Sequence, residues 1–306
     1  MKKPRPAADL DAVLARLDGV LARAEELMPA SDSNPPDWHD SIAWRWRKQN
    51  ASGWLRPVAH SHGIRLSDLL GIERQKEVVD RNTRQFVFGR PANNVLLTGA
   101  RGTGKSSLVK ALLNEYAGRK LRVIEIEKQN LGDLPDIVDL VHGRPERFIL
   151  YCDDLSFGAE EPGYQALKAV LDGSVAAASE NLLVYATSNR RHLMPEYMRE
   201  NLEAQRVGDE IHPGETVEEK ISLSDRFGLW VSFYPFTRDE YLEIVRYWVK
   251  WHGAHTQDIG ALEQEAIQWA LGRGSCSGRV AFQFARDWAG RQRAGGPAAA
   301  KRVRGA

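Results

Sequence analysis

Gly99-Ala100-Arg101-Gly102-Thr103-Gly104-Lys105-Ser106 fills every fixed position of the pattern GxxxxGK[ST], and Ser107 follows it. Residues of these types at this spacing cradle the phosphates of a nucleoside triphosphate. The glycines let the backbone turn tightly, so that successive N–H groups face one anion. Lys105 brings a mobile positive charge to the β- and γ-phosphates, and the Ser106 hydroxyl can ligate Mg²⁺. Asn94 to Thr98 reads as a buried strand entering the loop, and Lys105 to Tyr116 as a helix with Leu108, Ala111, Leu112 and Tyr116 on one face. Strand, glycine loop and helix N-terminus in that order make an anion site, because free N–H groups and the helix dipole both favour negative charge.

Four other places carry groups able to act on a bound triphosphate. Phe148-Ile149-Leu150-Tyr151-Cys152 is an apolar strand that ends in Asp153 and Asp154. An acid at the end of a strand neighbouring the loop holds Mg²⁺, the role expected of Asp153 beside Ser106. Asp154 is then placed to orient or deprotonate the attacking water; taken alone, the pair also suits the cap of a following helix. The next strand ends Thr187-Ser188-Asn189, where an amide reaches both γ-phosphate and water. Arg226, in Ser224-Asp225-Arg226-Phe227-Gly228, and Arg279, in Ser277-Gly278-Arg279, are cations near element ends. Arg226 is open to a second reading as a helix-end partner of Asp225, and Arg279 to a similar one.

The elements that must position these groups follow from periodicity. Leu121 to Glu127 alternates apolar and charged, while Phe148 to Cys152 and Leu182 to Thr187 are continuous apolar runs, as in strands buried on both faces of a parallel sheet. With Leu229 to Phe233 they predict a parallel five-stranded sheet in a three-layer αβα sandwich, an α/β fold with its ligand at the strands' carboxyl ends. After Pro235, Thr237 to Glu240 reads as a capping box and Tyr241, Leu242, Ile244, Val245 and Trp248 as one helix face. The expected units are an N-terminal helical extension (1–65), a nucleotide-binding unit (66–236), a helical lid (237–290) and a disordered basic tail (291–306).

Residues 8–28 carry Leu and Ala at helical spacing, followed by a Pro-containing linker. Trp38, Trp44, Trp46 and Trp54 then interleave with Arg45 and Arg47. Such a segment either anchors the extension on the larger domain or stacks on single-stranded nucleic acid. Residues 273–306 hold eight Arg or Lys against Asp287; a basic tail either contacts nucleic acid or keeps the chain soluble.

Composition excludes several classes. With 42% hydrophobic and 27% charged residues over 306, the chain has the make-up of an ordinary soluble protein. No apolar run approaches the roughly 20 residues that span a bilayer, and Met1-Lys2-Lys3-Pro4-Arg5 leads into no apolar signal core, so no membrane partner and a cytoplasmic location are expected. Two cysteines, Cys152 and Cys276, make neither a disulfide framework nor a zinc pair, and His60 and His62 lack a third ligand type.

The succession of phosphate loop, Cys-Asp-Asp-Leu-Ser, Thr-Ser-Asn, Leu-Ser-Asp-Arg-Phe-Gly-Leu and a late Ser-Gly-Arg resembles the AAA+ ATPases, and most resembles a bacterial family of uncharacterised AAA+ ATP-binding proteins, over about residues 66–290. The resemblance implies ATP and Mg²⁺ as cofactors and a homo-oligomer acting on a protein or nucleic-acid partner. It makes Gly99 to Ser107 the cofactor-binding loop, Ser106 and Asp153 the metal ligands, Asp154 the residue that positions the attacking water, Asn189 the sensor that couples hydrolysis to shape, Arg226 a finger reaching a neighbouring subunit's γ-phosphate, and Arg279 the lid sensor. Two departures stand out. Most such ATPases carry Asp-Glu where this chain has Asp153-Asp154, which shortens the reach to water and implies slow turnover. Residues 190–221, with Glu200 to Lys220, form a longer connection than the motif order needs and read as a surface insertion. Two functions follow: an ATPase that remodels a partner, or a nucleotide-controlled loader or adaptor with little turnover. A small-molecule phosphotransferase is disfavoured, since no acceptor pocket is evident in the sequence.

Overall fold

The computed structural model describes residues 16, 36–49, 52–59, 63–156, 162–172, 180–189, 205–207, 210–212, 223–255 and 257–294. Strand β3 (Val95–Gly99) enters the phosphate loop and α2 (Lys105–Tyr116) leaves it. Before them lie β1 (Ala43–Gln49), β2 (Ser52–Pro57) and α1 (Glu73–Val87). After them come β4 (Leu121–Glu125), α3 (Leu134–Val141), β5 (Arg147–Cys152), α4 (Pro162–Leu171), β6 (Leu182–Ser188), β7 (Gln205–Val207), β8 (Glu210–His212) and β9 (Leu229–Phe233). Helices α5 (Arg238–Trp251), α6 (Ile259–Arg273) and α7 (Gly278–Ala294) close the described chain.

All five expected strands form, and their mutual pairings are parallel, in the order β4-β5-β6-β3-β9. Strand alternation splits the core into two layers. Val95, Leu97, Ile149, Tyr151 and Tyr185 pack on one face with α1, α2 and α5 to α7, whereas Leu96, Leu150, Cys152, Val184 and Ala186 pack on the other with α3 and α4. Such burial on both faces explains why these strands are continuous apolar runs.

The sheet has seven strands rather than the expected five. β1 joins β4 in parallel and β2 folds back on β1 antiparallel, so the order begins β2-β1-β4. Within the expected helical extension, Ala43–Gln49 and Ser52–Pro57 are therefore an antiparallel strand pair. The cause is the period of two in Trp44-Arg45-Trp46-Arg47: both indoles are buried at 3% and 2% exposure, while Arg45 bonds Glu125 and Arg47 bonds Glu127. Trp38 adds edge contacts to Trp44 and Phe148 at centroid separations of 5.2 and 4.6 Å. These three tryptophans are core, which leaves their rings closed to base stacking.

The helix expected over 8–28, apart from Arg16, lies outside the described residues, as does the expected tail 291–306 from residue 295 on; residues 291–294 of that tail instead continue α7, where Arg291 pairs with Glu265 and Asp287. Of the expected insertion 190–221, only β7 and β8 are described, as an antiparallel pair. Among the described residues no helix is long and apolar enough to cross a membrane. The capping box at α5 forms as its sequence predicts, with Thr237 N–H donating to Glu240 Oε2 at 2.7 Å and Glu240 N–H to Thr237 Oγ1 at 3.3 Å.

Candidate nucleotide-binding site

The loop's shape depends on two glycines in particular. Gly99 has φ 128°, and a Cβ there would stand 1.9 Å from the Phe233 carbonyl oxygen, so no other residue fits between β3 and β9. Gly102 has φ 77°, and its Cβ would meet Ser277 Oγ at 2.9 Å. That second contact belongs to the start of α7, whose Gly278 N–H donates to the Gly102 carbonyl at 2.9 Å. Two helix N-termini thus meet at the loop, those of α2 and α7, and both favour an anion. Arg279 follows directly, with its Cβ on the same side of Gly102.

Lys105 is buried, and its ammonium donates to the carbonyls of Gly99 at 2.7 Å and Ala100 at 2.8 Å and to Asn189 Oδ1 at 3.1 Å. Burial holds its pKa below the ordinary lysine value; Asp153 and Asp154 oppose that shift, while Arg101 and Arg279 add to it. Thr103 Oγ1 ties the loop to itself through the Ala100 carbonyl at 2.8 Å. Ser107 follows Ser106 in the first turn of α2.

Strand register and parity assemble the rest. Leu97 pairs with Thr187, and Cys152 with Ala186, so the next step along β5 and β6 sets Asp153 beside Thr187. Tyr151, Asp153, Thr187 and Asn189 share the odd parity of Leu97, which is the α2 side. Contrary to the simple expectation of adjacent strands, β6 lies between β3 and β5. Thr187 fills the gap: its hydroxyl donates to Asp153 Oδ1 at 2.6 Å and accepts from the Asp154 N–H at 2.9 Å. Ser106 Oγ crosses from α2 to the same Asp153 oxygen at 2.8 Å, and Tyr151 reaches it at 2.7 Å. Desolvation at the strand ends pushes the Asp153 carboxyl up, but hydrogen bonds from Thr187, Tyr151 and Ser106 outweigh it and hold the group below the usual carboxylate range.

Asp154 turns out of the strand with φ 53°, in the left-handed region. There Asn189 Nδ2 donates to its Oδ1 at 2.5 Å, and Arg101 lies 3.6 Å from its Oδ2. The structure therefore joins Lys105, Ser106, Asp153, Asp154 and Asn189 in one bonded cluster beside the loop, with Arg279 at its rim. Arg226 stands apart. Its Nε donates to Asp172 Oδ1 at 2.5 Å, at the end of α4, rather than to Asp225.

The donor set suits Mg²⁺. Among the described residues no group of three or more His, Cys, Asp or Glu gathers around one point. The chain instead offers one hydroxyl and one carboxylate, both hard oxygen donors, leaving further positions to phosphate oxygens and water as Mg²⁺ prefers. Thr187 and Tyr151 escaped the sequence reading as site residues, although the spacing of two between Tyr151 and Asp153 on one strand was the signal for the second.

A family model described as "Protein of unknown function (DUF815)" matches residues 39–292. No curated protein shows significant similarity to the chain. Among solved structures, the Thermotoga maritima RuvB Holliday junction branch migration motor is similar at 17% identity and a TM-score of 0.47, covering 73% of this chain and 63% of its own. The FIGL-1 AAA domain in complex with ADP is similar at 17% identity and 0.49, covering 74% and 73%, and C. elegans PCH-2 at 17% and 0.46, covering 71% and 62%. This chain thus spans less than two thirds of the length of the RuvB and PCH-2 chains. The parallel α/β core followed by helices is the fold class that the periodicity of the strands predicted.

Proposed function

The chain belongs to the DUF815 family, and from its site we propose that it is a Mg²⁺-dependent AAA+ ATPase of low turnover, working as a homo-oligomer on a protein or nucleic-acid partner. Residues 66–236 would form the nucleotide-binding unit and 237–290 the lid. The observation that carries the reading is the cluster at the carboxyl ends of β3, β5 and β6, in which Ser106, Thr187 and Asn189 bind the two carboxylates that follow β5.

Each residue then has a task. The loop amides from Gly99 to Ser107 and Lys105 bind the triphosphate, and Ser106 with Asp153 would hold Mg²⁺, which supplies charge neutralisation between the β- and γ-phosphates. Lys105 exchanges its carbonyl partners for phosphate oxygens, a fitting role for a cation already held at the loop's mouth. Asp154 receives or orients the proton of the attacking water, and Asn189, bonded to both Lys105 and Asp154, links the phosphate end of the site to the water end. Arg279, at the start of α7, adds positive charge from the lid side.

Phosphate release and nucleotide binding, measured together on wild type and Asp154→Asn, test the proposal. Binding should persist within a few-fold while release falls by about 10²- to 10⁴-fold, the span of a lost general base. Equal loss of both would remove Asp154 from the water and overturn its role. A second reading, a nucleotide-controlled loader or adaptor, draws on one observation: the short Asp154 is already engaged by Asn189 and Arg101. Under that reading wild-type turnover is near zero and Asp154→Asn changes nothing.

A further inference from the structure

The cluster beside the loop contains one group that phosphate binding does not call for. Tyr151 sits on β5 two residues before Asp153, so the strand's alternation puts both on the α2 side. Ile149 precedes it on that face, Tyr185 and Glu125 stand opposite it on the neighbouring strands, and Tyr151 itself is only 3% exposed. A phenol at such a place needs a partner for its hydroxyl. The partner is Asp153 Oδ1, at 2.7 Å. Thr187 and Ser106 donate to the same oxygen at 2.6 and 2.8 Å, so three hydroxyls from three different elements converge on it.

Three donors on one oxygen fix the rotation of the carboxylate. The donors are not equivalent. Ser106 stands on α2 at the loop, where it also serves the metal under the reading above, and Thr187 is shared with the Asp154 N–H. Tyr151 alone approaches from the interior of the sheet, on a ring that packed core holds in place.

We propose that Tyr151 is a positioning residue for the Mg²⁺–nucleotide complex, its hydroxyl setting the orientation of the Asp153 carboxylate from inside the sheet. The inference rests on the nucleotide-binding reading of the loop. It adds a residue of this chain's own to the metal side of the site.

The test measures affinity of the full chain for a fluorescent ATP analogue, once with excess Mg²⁺ and once with EDTA, for wild type and Tyr151→Phe. Wild type should bind more tightly with Mg²⁺. Loss of the hydroxyl should cut that advantage by roughly 3- to 10-fold, the range of one hydrogen bond, while the EDTA affinity stays as in wild type. The EDTA arm doubles as a check that the loop is folded. A full Mg²⁺ advantage in Tyr151→Phe, or an equal drop in both arms, would show the hydroxyl to be structural and overturn the inference. A wild type that binds equally in both arms would remove Ser106 and Asp153 from the metal, and one that binds in neither would remove the nucleotide itself; either result fails the underlying reading instead.

Discussion

Lys105 shows how a single side chain connects the loop with the polar groups at the ends of β5 and β6. Its ammonium holds the carbonyls of Gly99 and Ala100 and the amide of Asn189, so removing it loosens both the cradle and the residue that binds Asp154. Lys105→Ala should weaken nucleotide binding by roughly 10- to 100-fold, since each charged hydrogen bond contributes about 1.5–3 kcal/mol. Titration calorimetry with ATP checks this, and unchanged affinity would detach Lys105 from the phosphates. At this scale much of the site was legible. Gly99 to Ser107, Asp153, Asp154 and Asn189 announced themselves by type and spacing. Thr187 did not, because its importance lies in standing between β5 and β3, which are joined through β6 only in three dimensions. A hydroxyl in a strand-end run gives no sign of which two neighbours it will bridge. Arg226 was legible as a cation, but its partner Asp172, 54 positions earlier, was not.

At the scale of elements, the antiparallel pair of β1 and β2 is where the sequence misled and the physics corrected it. A run of tryptophan and arginine suits an anchor better than an aromatic platform, but it names no element until its period is weighed. Alternation decides for a strand, with indoles inward and guanidinium groups outward. Trp46 is the pin of this strand pair, fully buried, its indole N–H donating to Asp133 Oδ2 at 3.0 Å, while Lys48 bonds the other oxygen of the same carboxylate. Trp46→Ala should cost about 3–5 kcal/mol, the range for a large buried aromatic, visible as a lower urea midpoint with nucleotide binding retained. Asp133 also predicts a pH dependence. Burial pushes its carboxyl up, but the bonds from Lys48 and Trp46 prevail and hold it below the usual value. A folded-state value below the unfolded one means the stabilisation is complete above the ordinary aspartate range and drains away as pH falls toward the folded value. Asp133→Asn should therefore flatten the acid limb of the stability profile, as followed by thermal melts from neutral pH downward. An unaltered acid limb would assign the loss to other carboxylates.

The whole molecule raises the question of what Arg226 is for, since it lies away from the bonded cluster. It is only 24% exposed and paired with Asp172 at the end of α4, so an arginine finger acting on a neighbouring subunit must first exchange that partner for phosphate. The alternative is that the pair merely ties the segment before β9 to α4. Partly exposed pairs of this kind contribute about 0–1 kcal/mol, so stability alone separates the two roles poorly. Turnover separates them well. If Arg226 acts across a subunit boundary, the rate per chain rises with protein concentration, and Arg226→Ala lowers the plateau by about 10³- to 10⁵-fold, the contribution of such a finger. Asp172→Ala, which removes one competing partner and leaves Arg226 itself in place, should move the rise to lower concentration without changing nucleotide affinity. A tie between segments predicts the reverse pattern: both variants shift the melting temperature alike, and the rate per chain is independent of concentration in all three proteins.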